Sequence, residues 1–302
     1  MAAGRYLRRV PELPDIVVYV EALERFTVGR KLLGPRLASP FVLRSVDPPL
    51  ATLVGRRVTA VRRLGKRLVL VFEDELFLVL HPMIAGRLRW KPAGASIKGR
   101  GALAAFDFEQ GTLIFSEASK RKRASIHVVR GEAGLAVHDR GGLDLRDADR
   151  ATFLERLRLE NRTLKRALVD PTTFDGIGNA YSDEILHRAR LSPFQRTRDL
   201  DDERGVRLQD AARDVLREWT EHHRAAVGDG FPDVVTAFHP QMAVHGKYGQ
   251  ACPVCNAPVQ RVIHAENEFN YCPGCQTEGR ILADRVLSRL LKDDWPRSLD
   301  EL

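Results

Sequence analysis

The sequence is short of several residues that often announce chemistry. In 302 residues there are four cysteines, three methionines, three tryptophans and five tyrosines. The cysteines fall in two close pairs near the C terminus, so none is left over as a nucleophile. No stretch approaches the roughly 18 uncharged apolar residues that a membrane span requires. The first ten residues are basic but carry no apolar segment, which argues against a secretory signal and leaves only a short organellar presequence to weigh against a soluble cytoplasmic location. No internal repeat and no low-complexity tract interrupts the chain. What is present is 44% apolar residues, enough for real cores and against wholesale disorder. The length allows two or three domains. A net charge of +8 favours an anionic partner, although charge alone is a weak sign.

The cysteines carry the strongest signal. Cys252 and Cys255 form CPVC, Cys272 and Cys275 form CPGC, and sixteen residues separate the pairs. This C-x2-C-x16-C-x2-C spacing suits a four-thiolate zinc site, each short turn aiming two sulfurs at one ion. Two disulfides or two redox pairs would use the same residues. A site closed by four cysteines has no open position, so its one zinc ion is structural. The nine histidines are scattered and read as surface or core residues rather than as a second metal site.

Three regions follow from periodicity. DIVVYVEALERF (15–26) has helical spacing after a Pro-Asp start. Alternation then takes over in RRVTAVRR, LVLVF, ELFLVLH, GRLRW, LAAFDF, TLIFSEA and ASIHVV. Seven short strands in about a hundred residues predict a β-sandwich or barrel. After about Asp147 the pattern becomes helical, through ATFLERLRL, TLKRALVD, NAYSDEILHRARL and GVRLQDAARDVLREWTEHHRAA. The cysteine region begins near Phe231. Beyond it, EGRILADRVLSRLLKDDW predicts one amphipathic helix with Ile281, Leu282, Val286 and Leu287 on its apolar side. Within the helical region, DGIGNAYSDEIL places glycines 176 and 178 immediately before a helix opened by Asn179. A tight interhelical turn would use the same residues. With a zinc hairpin and excess positive charge in the chain, an anion site at the helix N terminus is the better reading, and Lys165 can add charge there.

Taken in order, PELPD (11–15), LGKRL (64–68), GIGNAY (176–181) and the cysteine hairpin resemble the formamidopyrimidine-DNA glycosylase/endonuclease VIII family. The resemblance runs from Pro11 to Gln276. It implies an α+β multidomain fold: a β-sandwich with a leading helix (11–146), a helix–two-turn–helix domain (147–230) and a zinc-finger hairpin (231–278). Residues 279–302 would be an added helix and tail, and 1–10 an extension ahead of the start site. It also implies a monomeric, nucleoid-associated enzyme of base excision repair acting on damaged double-stranded DNA. Such an enzyme excises an oxidised base and then nicks the strand as an abasic-site lyase. Oxidised or ring-opened purines are the first choice of substrate and oxidised pyrimidines the second.

The resemblance assigns roles residue by residue. Pro11 matches the family's nucleophile, a terminal proline amine that attacks C1′ and forms a Schiff base with the opened sugar. Glu12 matches the carboxylate that moves protons to and from the sugar. Lys66 matches a lysine that contacts DNA near the lesion, and Lys165 and Asn179 match phosphate-gripping residues. Glu184, on the helix of Asn179, would help to organise the site. Met83 fits the side chain that fills the space of the extruded base. The loop SEASKRKRAS offers Lys120, Arg121, Lys122 and Arg123 for phosphate contact, but no aromatic wedge. The hairpin departs from the family at Asn267, where an arginine five residues before the third cysteine is usual; Asn cannot supply a bidentate charged contact. Arg261 or Arg280 would have to substitute. The loop Gly228–Phe238 carries no decisive lesion-recognition signature.

Pro11 follows Val10 in the given sequence, and an amide nitrogen has no lone pair to offer. Initiation at position 10, from a GTG codon otherwise read as valine, followed by removal of methionine, would free the amine. The rivals are proteolysis of an extension, or a zinc-dependent relative that binds damaged DNA without amine catalysis.

Overall fold

The computed structural model of the chain describes residues 11–99, 101–233, 239–264, 267–283 and 296–301. The expected N-terminal extension therefore lies outside the described residues, as do positions 234–238 of the Gly228–Phe238 loop. The chain divides into two compact units, residues 1–140 with 219–237, and residues 141–218 with 238–302.

The first unit is the expected sandwich. Helix α1 (Leu13–Thr27) starts two residues earlier than its periodicity suggests, because Pro14 sits in the first turn, where a missing N–H costs nothing. One sheet has the order β2-β3-β4-β8, from Val58–Leu64, Arg67–Phe72, Leu76–His81 and Ser125–Arg130. The other has the order β1-β6-β7-β5, from Leu32–Leu37, Ala102–Phe108, Gly111–Glu117 and Gly86–Lys91. All seven expected strands are present. The eighth, β1, reads LLGPRL, and its Gly34 and Pro35 hide it; an edge strand is where a sheet tolerates proline.

Leu68, Leu70 and Phe72 of β3 and Leu78 and Leu80 of β4 face a core shared with Phe106, Phe115 and the Ile16–Tyr19–Leu23 face of α1. Val69, Val71, Phe77 and Val79 point the other way and are covered by Leu135 of the short helix α2 (Gly131–Ala136). Burial on both faces explains why these two strands read as continuous apolar runs.

The second unit holds α3 (Arg150–Arg158), α4 (Leu164–Val169), α5 (Asn179–Arg188), most of α6 (Asp202–Val227) and the cysteine hairpin. Asp149 and Thr163 cap α3 and α4 through their side chains. Gly176, at φ +79°, makes the turn before α5, in a conformation that costs a glycine little. The hairpin strands β9 (Gln260–His264) and β10 (Asn267–Tyr271) pair antiparallel.

The division between the two units falls within α6. The last turns of α6 from Trp219, with the segment that follows, belong to the sandwich unit rather than to the helical one. There Phe231 packs near Tyr19 and Phe26, and Arg224 pairs with Glu21 at 2.6 Å. The amphipathic helix expected after the cysteines does not begin at Glu278: residues 278–283 form a turn and an isolated bridge from Arg280 to Ser298. Residues 284–295 lie outside the described part.

Candidate functional site

In the sandwich unit the PELPD stretch is folded into the start of α1. Pro11 is buried and Glu12 is 1% exposed. The Glu12 N–H donates to Asp15 Oδ2 at 2.9 Å, which ties the backbone beside Pro11 to the first turn of the helix. Asp15 is itself buried, and its other oxygen lies 3.5 Å from His223 Nε2. Burial pushes the Asp15 carboxyl up to about 7; the Glu12 amide lowers it, the Glu12 charge raises it, and Arg87 and Lys66 lower it. Lys66 occupies the turn between β2 and β3, half-buried, and its charge acts on Asp15. Glu12 and Lys66 both act on Asp15. Arg87 and His223 act on it too, and none of Asp15, Arg87 and His223 stood out in the sequence.

Met83 is half-buried at φ +54° in the turn from β4 to β5. That turn closes so tightly that a Cβ on Gly86 would lie 2.2 Å from the Pro82 carbonyl oxygen. Lys120, Arg121, Lys122 and Arg123 are all exposed. The loop that carries them is fastened by the buried Glu117 carboxylate, which accepts from Ser119 Oγ at 2.6 Å and from the backbone N–H groups of Arg123 and Ala124 at 2.8 and 3.0 Å. A rigid base under an exposed basic tip suits contact with phosphates.

In the second unit Lys165 is not held out to solvent. It is 7% exposed, and its ammonium donates to Asn179 O at 2.8 Å, to Ser182 Oγ at 2.7 Å and to Asp183 Oδ1. An ammonium has three donors, and all three are occupied beside the first turn of α5. Asn179 donates through Nδ2 to the Glu268 carbonyl at 2.6 Å. Asp183 also accepts from His245 Nδ1 at 2.7 Å and from the Asn270 N–H at 3.0 Å. Glu184 accepts three consecutive amides, from Ala243, Val244 and His245, at 2.8 to 2.9 Å. Burial holds its carboxyl above the usual range, and those amides pull it back. Asn267 lies in β10 opposite His264, and its side chain is outside the described part. Arg261 reaches Glu268 at 3.2 Å and stacks over Tyr248.

The four cysteines converge as their spacing predicts. Cys252 and Cys275 sulfurs are 3.8 Å apart, and Cys255 and Cys272 sulfurs 3.3 Å apart. With zinc–sulfur bonds of about 2.3 Å, tetrahedral corners lie about 3.8 Å from one another, so the donor set fits one metal ion. His187, at the last turn of α5, joins this cluster: its ring nitrogen and the sulfurs of Cys252, Cys272 and Cys275 all lie within 4.8 Å of one another. Burial, then the charges of Arg188 and Arg190, lower its pKa to about 4, which leaves the imidazole neutral at physiological pH. Burial also raises the Cys272 and Cys275 thiols, so loading the site with metal must release protons.

Among the described residues no helix is long and apolar enough to cross a membrane. Two family profiles match the chain: the formamidopyrimidine-DNA glycosylase N-terminal domain over residues 10–125 and the H2TH domain of the same enzymes over residues 144–229. A formamidopyrimidine-DNA glycosylase of Thermus thermophilus is 34% identical over 278 residues, 89% of this chain and 100% of the relative. One from Solibacter usitatus is 31% identical over 88% of this chain and 99% of the relative. In solved structures, the fold resembles Lactococcus lactis Fpg in complex with DNA containing an abasic site. The TM-score is 0.78 at 24% identity, covering 88% of this chain and 99% of that one. A structure of MutM in complex with DNA containing carbocyclic 8-oxo-G gives a TM-score of 0.77 at 24% identity, over 88% and 100%.

Proposed function

The chain belongs to the formamidopyrimidine-DNA glycosylase family, and from that premise we propose how its own residues carry out the reaction. It is a DNA glycosylase of base excision repair for oxidised purines, with abasic-site lyase activity. The observation that carries the assignment of residues is the burial of Glu12 beside Pro11, with Lys66 and Arg87 exerting their charge on Asp15 in the first turn of the same helix.

As a free secondary amine, Pro11 attacks C1′ of the damaged nucleotide. The glycosidic bond breaks and the base departs with the bonding pair and a proton. Glu12 supplies a proton to the sugar ring oxygen as the ring opens, and the nitrogen lone pair closes the iminium. That iminium accepts the electrons released when C2′ loses a proton, and the 3′ phosphate leaves. An α-amine with an ordinary pKa of about 7.7–8.0 is partly neutral near pH 7, so no special burial is needed to activate it. The positive charges of Lys66 and Arg87 favour the neutral amine and attract the phosphates that flank the lesion. The exposed Lys120–Arg123 tip adds further phosphate contacts, and Met83 fills the space of the extruded base. One structural zinc ion held by Cys252, Cys255, Cys272 and Cys275 fixes the hairpin. Asn179 and the turn before α5 supply the backbone-rich surface for phosphate, whereas Lys165 serves the fold.

Borohydride trapping tests the reading, on duplex containing 8-oxoguanine or a formamidopyrimidine. Protein whose first residue is Pro11 should give a covalent adduct, and protein beginning at Met1 should give none unless it is processed. No adduct from either form would sink the amine mechanism and leave the binding-only relative.

A further inference from the structure

Four thiolates around a divalent ion leave two net negative charges, and Cys252 and Cys272 of this set are buried, 3% and 0% exposed. Buried charge is costly without hydrogen bonds to the charged atoms. Two backbone groups answer part of that need: Val254 N–H points at Cys252 Sγ and Cys275 N–H at Cys272 Sγ, each at 3.4 Å. A further contact comes from outside the hairpin. His187 Nε2 is 3.3 Å from Cys252 Sγ, and the imidazole is 7% exposed.

We propose that His187 is an outer-sphere positioning residue of the metal site, donating its Nε2–H to the Cys252 thiolate and fastening the hairpin metal to helix α5. The inference rests on the reading that the four cysteines hold one zinc ion. On that reading the cysteines complete a closed tetrahedral set, which leaves the ring surplus as a ligand and suited as a donor. A single N–H···S bond then connects the ion to the helix whose opposite end carries Asn179. His187 sits at i+8 from Asn179, two turns along one face. The hairpin is thereby seated against the helix from the metal end as well as through β10.

The full chain loaded with cadmium-113 in place of zinc decides the matter by nuclear magnetic resonance. One cadmium ion per chain, a proton on His187 Nε2 and a coupling from that proton to the metal through sulfur are expected. Binding of one ion with Nε2 unprotonated and directly coupled to cadmium would make His187 a ligand and overturn the proposal while leaving the metal site intact. No bound ion would overturn both. In parallel, His187→Phe should speed release of metal to a chelator by roughly tenfold to a hundredfold, and His187→Gln, which keeps an N–H at similar reach, should recover part of that loss. Equal release rates in all three proteins would refute the inference.

Discussion

Lys165 separates two accounts of the helical unit. If its ammonium gripped phosphate, Lys165→Met would leave stability unchanged, weaken DNA binding and reduce the slope of log affinity against log salt by about 0.9. The structure gives the opposite expectation. The ammonium is buried against the Asp183 carboxylate, which is 1% exposed and also bound by His245 and Asn270. Removing one partner of such a pair strands the other charge, at a cost of about 3–5 kcal/mol. For a unit of this size that is roughly 10–15 °C in melting temperature. Asp183→Asn should cost a similar amount, because Asn cannot neutralise Lys165. The double variant Lys165→Met/Asp183→Asn should cost far less than the two single losses added together, since neither charge is then left unpaired. The assay is urea unfolding followed by circular dichroism and metal release, with the salt dependence of binding measured on the folded variants. Additive single losses below about 1 kcal/mol, together with a reduced salt slope, would refute the ion-pair account.

Asp15 makes the sandwich sensitive to pH. Its carboxyl is raised from 3.8 to about 7 in the folded chain, so the native state holds a proton that the unfolded state releases. That contribution is complete below about pH 4 and is lost as pH rises through 7; its full span is about 4 kcal/mol. Asp15→Asn keeps an acceptor for the Glu12 amide and removes the titration. The variant should therefore gain stability relative to the natural protein between pH 4 and 7.5 in denaturant titrations, and a constant difference would contradict the shifted carboxyl. Replacing Lys120 and Arg121 by Ala should lower the salt slope of duplex binding by about 1.8 without changing the melting temperature; a changed melting temperature with an unchanged slope would count against the basic tip. Chelating the metal should abolish DNA binding while the near-ultraviolet signal of Trp90, which packs against the sandwich core, survives. Retained binding would rule out a role for the hairpin.

What could be read from the chain depended on how far apart partners lie. Cysteine pairs with two residues between them declare themselves, because each pair must reach one ion through a short turn. The strands of the sandwich declare themselves too, apart from β1, where Gly34 and Pro35 suit an edge but mask the pattern. PELPD could be assigned through resemblance, yet its neighbourhood could not: His223 meets Asp15 from the far end of the chain, and nothing local predicts it. Lys165 looked like a free cation because charge in a sequence is assumed to be solvated, while its acceptor lies eighteen residues away on the next helix.

Helix α5 shows the physical reason most clearly. Asn179, Asp183 and His187 recur every four residues, and Glu184 lies beside them. A polar stripe at that spacing normally faces water. Here it is covered: Asn179 meets the Glu268 carbonyl, Asp183 meets Asn270 and His245, Glu184 meets three amides, and His187 meets Cys252. The hairpin is too small to bury a large apolar face, and its short strands leave backbone groups to satisfy. A helix that presents carboxylates, an amide and an imidazole answers those groups one by one, where an apolar helix would leave them unpaired. The same stripe that reads as a solvated surface is thus the template on which the metal hairpin is assembled. It follows that apolar substitution along the stripe, at Asp183 or Glu184, should disorder the hairpin even when the cysteines are intact.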